Sequence, residues 1–142
     1  MLVFHSTSRV YLAPSMFVHT LIRVMGFVSG FSGGVGCGGL SLPECGRQIY
    51  ETNSHTGEPG DRYSYNEVHL QLAAALTAQA TGTPFVALVR RYVFSPAGGM
   101  PATRFTNEAN PAAGAGLVST PRDYHSFLAM YFRGEQVSFP VP

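Results

Sequence analysis

The run PGDRYSYNEVHLQLAAALTAQATGTPFVALVRRYVFSPAGGM, from residue 59 to residue 100, constrains the fold most, because it carries its own punctuation. Pro59-Gly60 reads as a turn and leads to Tyr65-Asn66. Residues 68–80 are rich in Ala, Leu and Gln, so a helix is expected there, with Gly82 as its C-terminal stop. A second helix is expected with Thr83 as N-cap and Pro84 at the first helical position; Phe85, Leu88, Val89 and Tyr92 recur at i, i+3, i+4 and i+7. Each helix is expected to bury one face. Tyr65 then stands at a turn leading into a helix N-terminus, where its phenol would face a cleft.

Around this run the elements are shorter. Residues 20–27 predict a helix capped by Thr20, with Leu21, Val24 and Met25 on one face and Gly26 weakening its end. Ser41-Leu42-Pro43-Glu44 is a capping box, so a helix is expected over 42–51 that turns Cys45, Ile49 and Tyr50 inward, with Gly46 weakening it. Residues 101–115 read as loop, and 116–119 as a short buried strand or an extended entry to the last helix. Thr120-Pro121-Arg122-Asp123 supplies that helix with an N-cap, a Pro at the first position and an acid at the third. Tyr124, Phe127, Leu128, Tyr131 and Phe132 read as its core stripe, and Gly134 ends it.

The ends say less. The apolar run 10–18 is broken by Pro14, has no basic residue before Arg9 and lacks a small-residue cleavage site, so it makes a weak signal peptide. Extended to residue 28, it would carry His19, Thr20 and Arg23 into a bilayer, so no transmembrane helix is expected. The tail 137–142 is one short apolar run. The expected organisation is an unassigned segment 1–19, a domain over 20–134 and a tail 135–142.

Sixteen Gly and ten Pro among 142 residues imply long connections. A net charge of +1 with scattered Arg gives no electrostatic basis for nucleic-acid binding. Cys37 and Cys45 are near enough in sequence to pair, or to remain two partly buried thiols, so neither redox compartment nor localisation can be read from them. Gly30-x-Ser32-x-Gly34 matches a nucleophile elbow that could recruit Asp123 and His125, but an elbow needs a strand before it and a helix after it. Gly34-x-Gly36-x-x-Gly39 matches a dinucleotide loop without the βαβ unit that gives the pattern meaning, so no cofactor is expected. Glu67 and His69 have no second pair at ligand spacing, so no metal site is expected and His69 reads as a surface or core-edge side chain.

Several ordered motifs together carry a resemblance. They are Val28-Ser29-Gly30-Phe31, Pro59-Gly60, Tyr63-Ser64-Tyr65, Thr81-Gly82-Thr83-Pro84-Phe85, Ser95-Pro96 with Gly99-Met100, and Gly114-Ala115-Gly116-Leu117-Val118-Ser119-Thr120 with Asp123-Tyr124 and Phe127-Leu128. In this order they resemble the serine β-lactamase-like family: class C type β-lactamases, penicillin-binding DD-peptidases and related esterases. The resemblance spans about 20–134. It implies a mainly α, loop-rich fold, the helical lobe of a β-lactamase/transpeptidase-like α+β fold with most of the sheet missing and apolar faces exposed where the sheet would dock.

The same resemblance implies hydrolysis of an ester or amide through an acyl-enzyme, with Tyr65 as the proton-shuttling phenol. Glu67 occupies the place of the family's Asn, and Asn66 the place of a small residue. All nine basic residues are Arg, and a guanidinium cannot serve as the proton acceptor that the family's Ser-x-x-Lys requires. The late Lys- or His-bearing strand motif is missing as well. The expectation is an incomplete, inactive copy whose catalytic set is Tyr65 alone, with an ester, β-lactam or peptide-like ligand if completed. The alternative is a noncatalytic protein that binds a partner on exposed apolar faces.

Overall fold

The computed structural model describes residues 14–134, with side chains from residue 20 onward. The chain forms two compact units that divide between Gly82 and Thr83. Among the described residues no single helix is long and apolar enough to cross a membrane. The expectations for residues 1–13 and for the tail lie outside the described residues.

Among the described residues the first unit holds three helices, α1 (Pro14–Met25), α2 (Leu42–Thr52) and α3 (Glu67–Thr81), and α3 packs against both others. α1 begins upstream of the expected Thr20 cap: Pro14 opens it, as suits a residue with fixed φ and no N–H to leave unpaired. Its end is a Schellman motif, in which Val28 N–H donates to the Arg23 carbonyl (2.9 Å) and Phe27 N–H to that of Val24 (3.1 Å). The left-handed residue of this motif is Phe27, at φ 56°, although Gly26 stands next to it. A side chain there costs roughly 1–2 kcal/mol relative to glycine.

Beyond that cap, residues 27–32 run alongside 54–64. Ser64 N–H donates to Phe27 O (2.8 Å), Gly60 N–H to Val28 O (2.7 Å), Thr56 N–H to Gly30 O (2.8 Å) and Ser32 N–H to Ser54 O (2.9 Å). Gly30 is required here, because at φ 87° a Cβ would lie 2.5 Å from the Gly57 carbonyl oxygen.

α2 starts as expected, with the Glu44 carboxylate accepting from both the Ser41 N–H and its hydroxyl. Cys45 and Ile49 are buried and Tyr50 is half-buried. Cys37 and Cys45 form a disulfide across a separation of eight residues, which by loop-closure entropy removes about 2–3 kcal/mol of freedom from the unfolded chain. The Gly-rich loop is tied down further by Gln48, which donates to Gly36 O (2.9 Å), and by Asn53, which donates to Ser32 O (3.0 Å) and Gly34 O (3.2 Å). The core gathers Val24, Phe31, the disulfide, Ile49, Val68, Leu72 and Ala73.

α3 corrects the expectation of one buried face. Residues 71–76 are buried consecutively, hence around the whole circumference, because their alanines let neighbouring backbones come close. Gly46 is the counterpart on α2: a Cβ there would sit 2.5 Å from that of Ala75. Gly82 closes α3 in the left-handed conformation, at φ 63°.

The second unit contains α4 (Phe85–Val89), a π-helical turn at Arg90–Phe94, strands β1 (Arg104–Phe105) and β2 (Leu117–Val118), and α5 (Pro121–Phe132). Pro84, not Thr83, is the N-cap of α4: its ψ of 135° is extended, and its carbonyl accepts from Ala87 and Leu88. The expected face, Phe85, Leu88, Val89 and Tyr92, is half-buried throughout, while the buried residues are Val86 in α4 and Phe94 in the π-helical turn. β1 and β2 pair antiparallel with Phe105 opposite Leu117, and both residues of β2 are exposed rather than buried.

α5 begins as expected, with Thr120 Oγ1 accepting from Asp123 N–H. Its stripe is corrected. Asp123, Phe127 and Met130 turn inward, the last two against Phe94, Ala97 and Met100, while Tyr124, Tyr131 and Phe132 are exposed. Asp123 supplies the reason: its carboxylate accepts from Ala102 N–H (2.8 Å) and the Thr103 hydroxyl (2.9 Å), and this anchor fixes the helix's rotation.

Substituting Gly46→Ala will destabilise the first unit by about 1–3 kcal/mol despite the better helix propensity of alanine, since the clash is with a neighbouring helix. Thermal unfolding followed by circular dichroism measures it; an unchanged or raised Tm would show that α2 and α3 separate freely.

Candidate functional site

The resemblance directs attention to the N-terminus of α3. Asn66 is its N-cap, in extended conformation, with Oδ1 accepting from Val68 N–H (3.1 Å). Because a backbone N–H can only donate, this contact fixes which end of the amide is oxygen. The Nδ2 group then donates to Phe31 O (3.2 Å), to Ser64 O (3.2 Å) and to Ser64 Oγ (3.3 Å).

Asn66 Oδ1 also meets His69 Nδ1, at 2.9 Å. As that oxygen can only accept, Nδ1 carries the proton, and Nε2 presents a lone pair. His69 is completely buried, and its Nε2 has no hydrogen-bond partner among the described residues. Burial lowers the imidazole pKa from its ordinary value, and the hydrogen bond at Asn66 opposes that only in part. The structure thus corrects the surface or core-edge reading of His69. With Nδ1 engaged and Nε2 enclosed, the Glu67–His69 pair is not arranged as metal ligands; no group of three candidate ligands occurs among the described residues.

Tyr65 lies between Ser64 and Asn66, so its backbone is held on both sides, yet its side chain is 75% exposed. The phenol is presented at the surface rather than in an enclosed cleft. Its ring rests on that of Phe27, centroids 4.9 Å apart, and the same Phe27 ring approaches His69 (5.3 Å) and Tyr63 (6.0 Å). Phe27 and His69 were not singled out from sequence as members of this cluster. A usable signal existed for His69, because Asn66-x-x-His69 has the spacing of a cap residue and its third helical position once the helix starts at Glu67. For Phe27 there was none, since the adjacent glycine is the residue expected to turn left-handed.

The elbow reading does not survive. Ser32 comes after a single bridging residue, Phe31, not a strand, and its hydroxyl donates to Ser54 O (3.1 Å). No helix begins between Ser32 and Leu42, and Asp123 is already engaged by Ala102 and Thr103.

The buried neutral His69 makes stability pH-dependent. Its folded pKa lies below the unfolded value of about 6.5, so the unfolded chain takes up the proton first as pH falls. Stability is therefore full above about pH 6.5 and declines below it until the folded pKa is passed. Urea unfolding between pH 7.5 and 5 will show this decline, and His69→Gln will flatten it; an equal slope in both proteins would mean that another group is responsible.

A sequence model of the Beta-lactamase family matches residues 47–139, well over half of the chain. Among curated proteins none matches. Among solved structures, a protein from Bacteroides dorei DSM 17855 assigned as a beta-lactamase is similar at TM-score 0.63 and 22% identity, over 78% of this chain and 35% of that one. The D-amino acid amidase from Ochrobactrum anthropi SV3, complexed with L-phenylalanine amide, is similar at TM-score 0.60 and 21% identity, over 80% of this chain and 43% of that one. At these identities the structures speak for the fold alone, and the chain spans less than half the length of either. The helix-dominated architecture is that of a fragment of a β-lactamase-like fold, and by the extent of the sequence match this chain belongs to the β-lactamase family.

Proposed function

We propose that this chain is the helical lobe of a serine hydrolase acting on esters or amides, and that its contribution to catalysis is the Tyr65 phenol. The observation that carries this is the placement of Tyr65: its backbone is clamped between Ser64 and Asn66 at the start of a buried helix, while its side chain is open to an approaching reactant. A phenol so held can pass a proton between an attacking hydroxyl and a leaving group in acyl transfer, with a cation nearby to stabilise the phenolate. The 142 residues contain no lysine, so the cation and base of a Ser-x-x-Lys pair are not among them. Acyl transfer through Tyr65 therefore needs a nucleophile and base from other polypeptide, and the chain by itself is inactive.

A second reading, noncatalytic binding, draws on α5. Tyr131 and Phe132 are 70% and 80% exposed at its end, with Tyr124 exposed on the same helix. Aromatic side chains in that state suit a protein partner.

Two experiments decide. The chain alone, incubated with a fluorophosphonate or a penicillin, will show no adduct by intact-mass measurement; an adduct on Ser32 would overturn the assignment of chemistry to Tyr65. The native transcript, read across both ends of this frame, should add a Ser-x-x-Lys and a Lys- or His-bearing strand. In its product, Tyr65→Phe should slow acylation by about 10²–10⁴-fold. A transcript without those motifs leaves only the binding reading, and undiminished acylation by Tyr65→Phe removes the phenol from the mechanism.

A further inference from the structure

Phe27 combines two unusual properties. It is one of two non-glycine residues with positive φ among the described residues, and it is the ring on which Tyr65 rests. Each property has an ordinary explanation by itself. A left-handed residue completes the Schellman cap of α1, and a half-buried phenylalanine packs where apolar surface is available. Together they conflict, because the cap is best served by glycine and the packing demands a side chain. A bulky residue in this conformation is an outlier, and it persists only where the surrounding structure holds it.

Several contacts converge on it. The Phe27 carbonyl accepts from Ser64 N–H (2.8 Å), fixing the residue that precedes Tyr65. The ring lies 4.9 Å from the Tyr65 ring, tilted by 40°, and 5.3 Å from the His69 ring, tilted by 54°; Tyr63 meets it near edge-on at 6.0 Å. His69 is in turn bound to Asn66, the residue after Tyr65. The backbone of Tyr65 is thus set by its two neighbours, but an exposed ring still has its two side-chain torsions. A proton-shuttling oxygen has to stay within about 3 Å of the group it serves. The ring contact with Phe27 is what limits those torsions.

We infer that Phe27 is a positioning residue, whose side chain in a left-handed backbone turn sets the direction in which the Tyr65 phenol is presented. This rests on the proposed role of Tyr65 and adds to it a residue that acts through it rather than on a substrate.

The test separates the ring from the cap and uses the full chain. Phe27→Gly keeps a residue suited to the left-handed turn and removes the ring; Phe27→Tyr keeps the ring. Tyrosine side-chain NMR, assigned by loss of signals in Tyr65→Phe, reads the shift and rotamer averaging of Tyr65, and circular dichroism reads the helix content. Phe27→Gly should retain the helices while the Tyr65 ring protons move toward their free-peptide positions and average over rotamers. Phe27→Tyr should restore the native signals. If Phe27→Gly fails to fold, Phe27→Leu, which keeps apolar bulk without the ring, should show the same loss of Tyr65 order. Unchanged Tyr65 signals in a folded Phe27→Gly or Phe27→Leu chain would overturn the inference and leave Phe27 as packing alone. These readouts do not need hydrolysis, so they judge Phe27 even if acylation proves independent of Tyr65.

Discussion

The side chain of Asn66 is the joint on which the first unit depends. A primary amide offers two hydrogens and two lone pairs, and here all are used inside the fold. Its oxygen serves the helix through Val68 N–H and His69 Nδ1, and its nitrogen serves the adjoining chain through the Phe31 carbonyl and Ser64. Each such bond contributes about 1 kcal/mol net, but the cost of leaving the buried partners unpaired is larger. Asn66 is therefore poorly replaced by the small residue that the family pattern has at this position. An amide spent in this way has no valence left for a ligand, whereas its neighbours Tyr63, Tyr65 and Glu67 are exposed.

Rigidity behind that residue comes from α3. A helix buried around its circumference cannot rotate to relieve strain, and its close contact with α2 at Gly46 and Ala75 leaves little room to slide. The Gly-rich loop, which composition alone would leave mobile, is fastened to α2 by the Cys37–Cys45 bond and by Gln48 and Asn53. Phe31 stands where this loop begins, in the core with Cys37 and Ile49, and its carbonyl is the one that Asn66 takes. Packing of the loop and placement of the Tyr65 step are thus mechanically one arrangement.

Legibility in the sequence depends on the range of the interaction involved. Features set by residues three or four apart were readable: the Ser41–Glu44 box, the Thr120–Asp123 cap and the glycine stop at Gly82 all form in the structure. So was the helix-dominated family fold, since its motifs come in a fixed order. Two local caps are misplaced, at Thr20 and Thr83, by a helix that starts earlier and by an extended Pro84; the other misjudged features depend on partners far along the chain. The rotation of α5 follows Asp123 reaching back to Ala102 and Thr103 rather than the aromatic stripe of its sequence. His69 reads as a surface or core-edge histidine because nothing in its spacing reveals that α3 is enclosed. Whether Cys37 and Cys45 pair is likewise a matter of where the loop folds, which their separation does not decide.

The left-handed turn at Phe27 is the clearest conflict between local preference and long-range demand. Stopping α1 one residue earlier would put Gly26 in the left-handed position at no steric cost, so propensity alone favours it. The structure goes one residue further because the segment after the helix has a register to keep. Phe27, Val28 and Gly30 give their carbonyls to Ser64, Gly60 and Thr56, and Ser32 gives its N–H to Ser54. A shift by one residue would misalign these four bonds and move Gly30 from the one place where the Gly57 carbonyl tolerates no Cβ. Four backbone bonds at about 1 kcal/mol each outweigh the roughly 1–2 kcal/mol of a strained phenylalanine. The register therefore fixes where the helix ends, the end fixes which residue turns left-handed, and that residue brings its ring onto Tyr65.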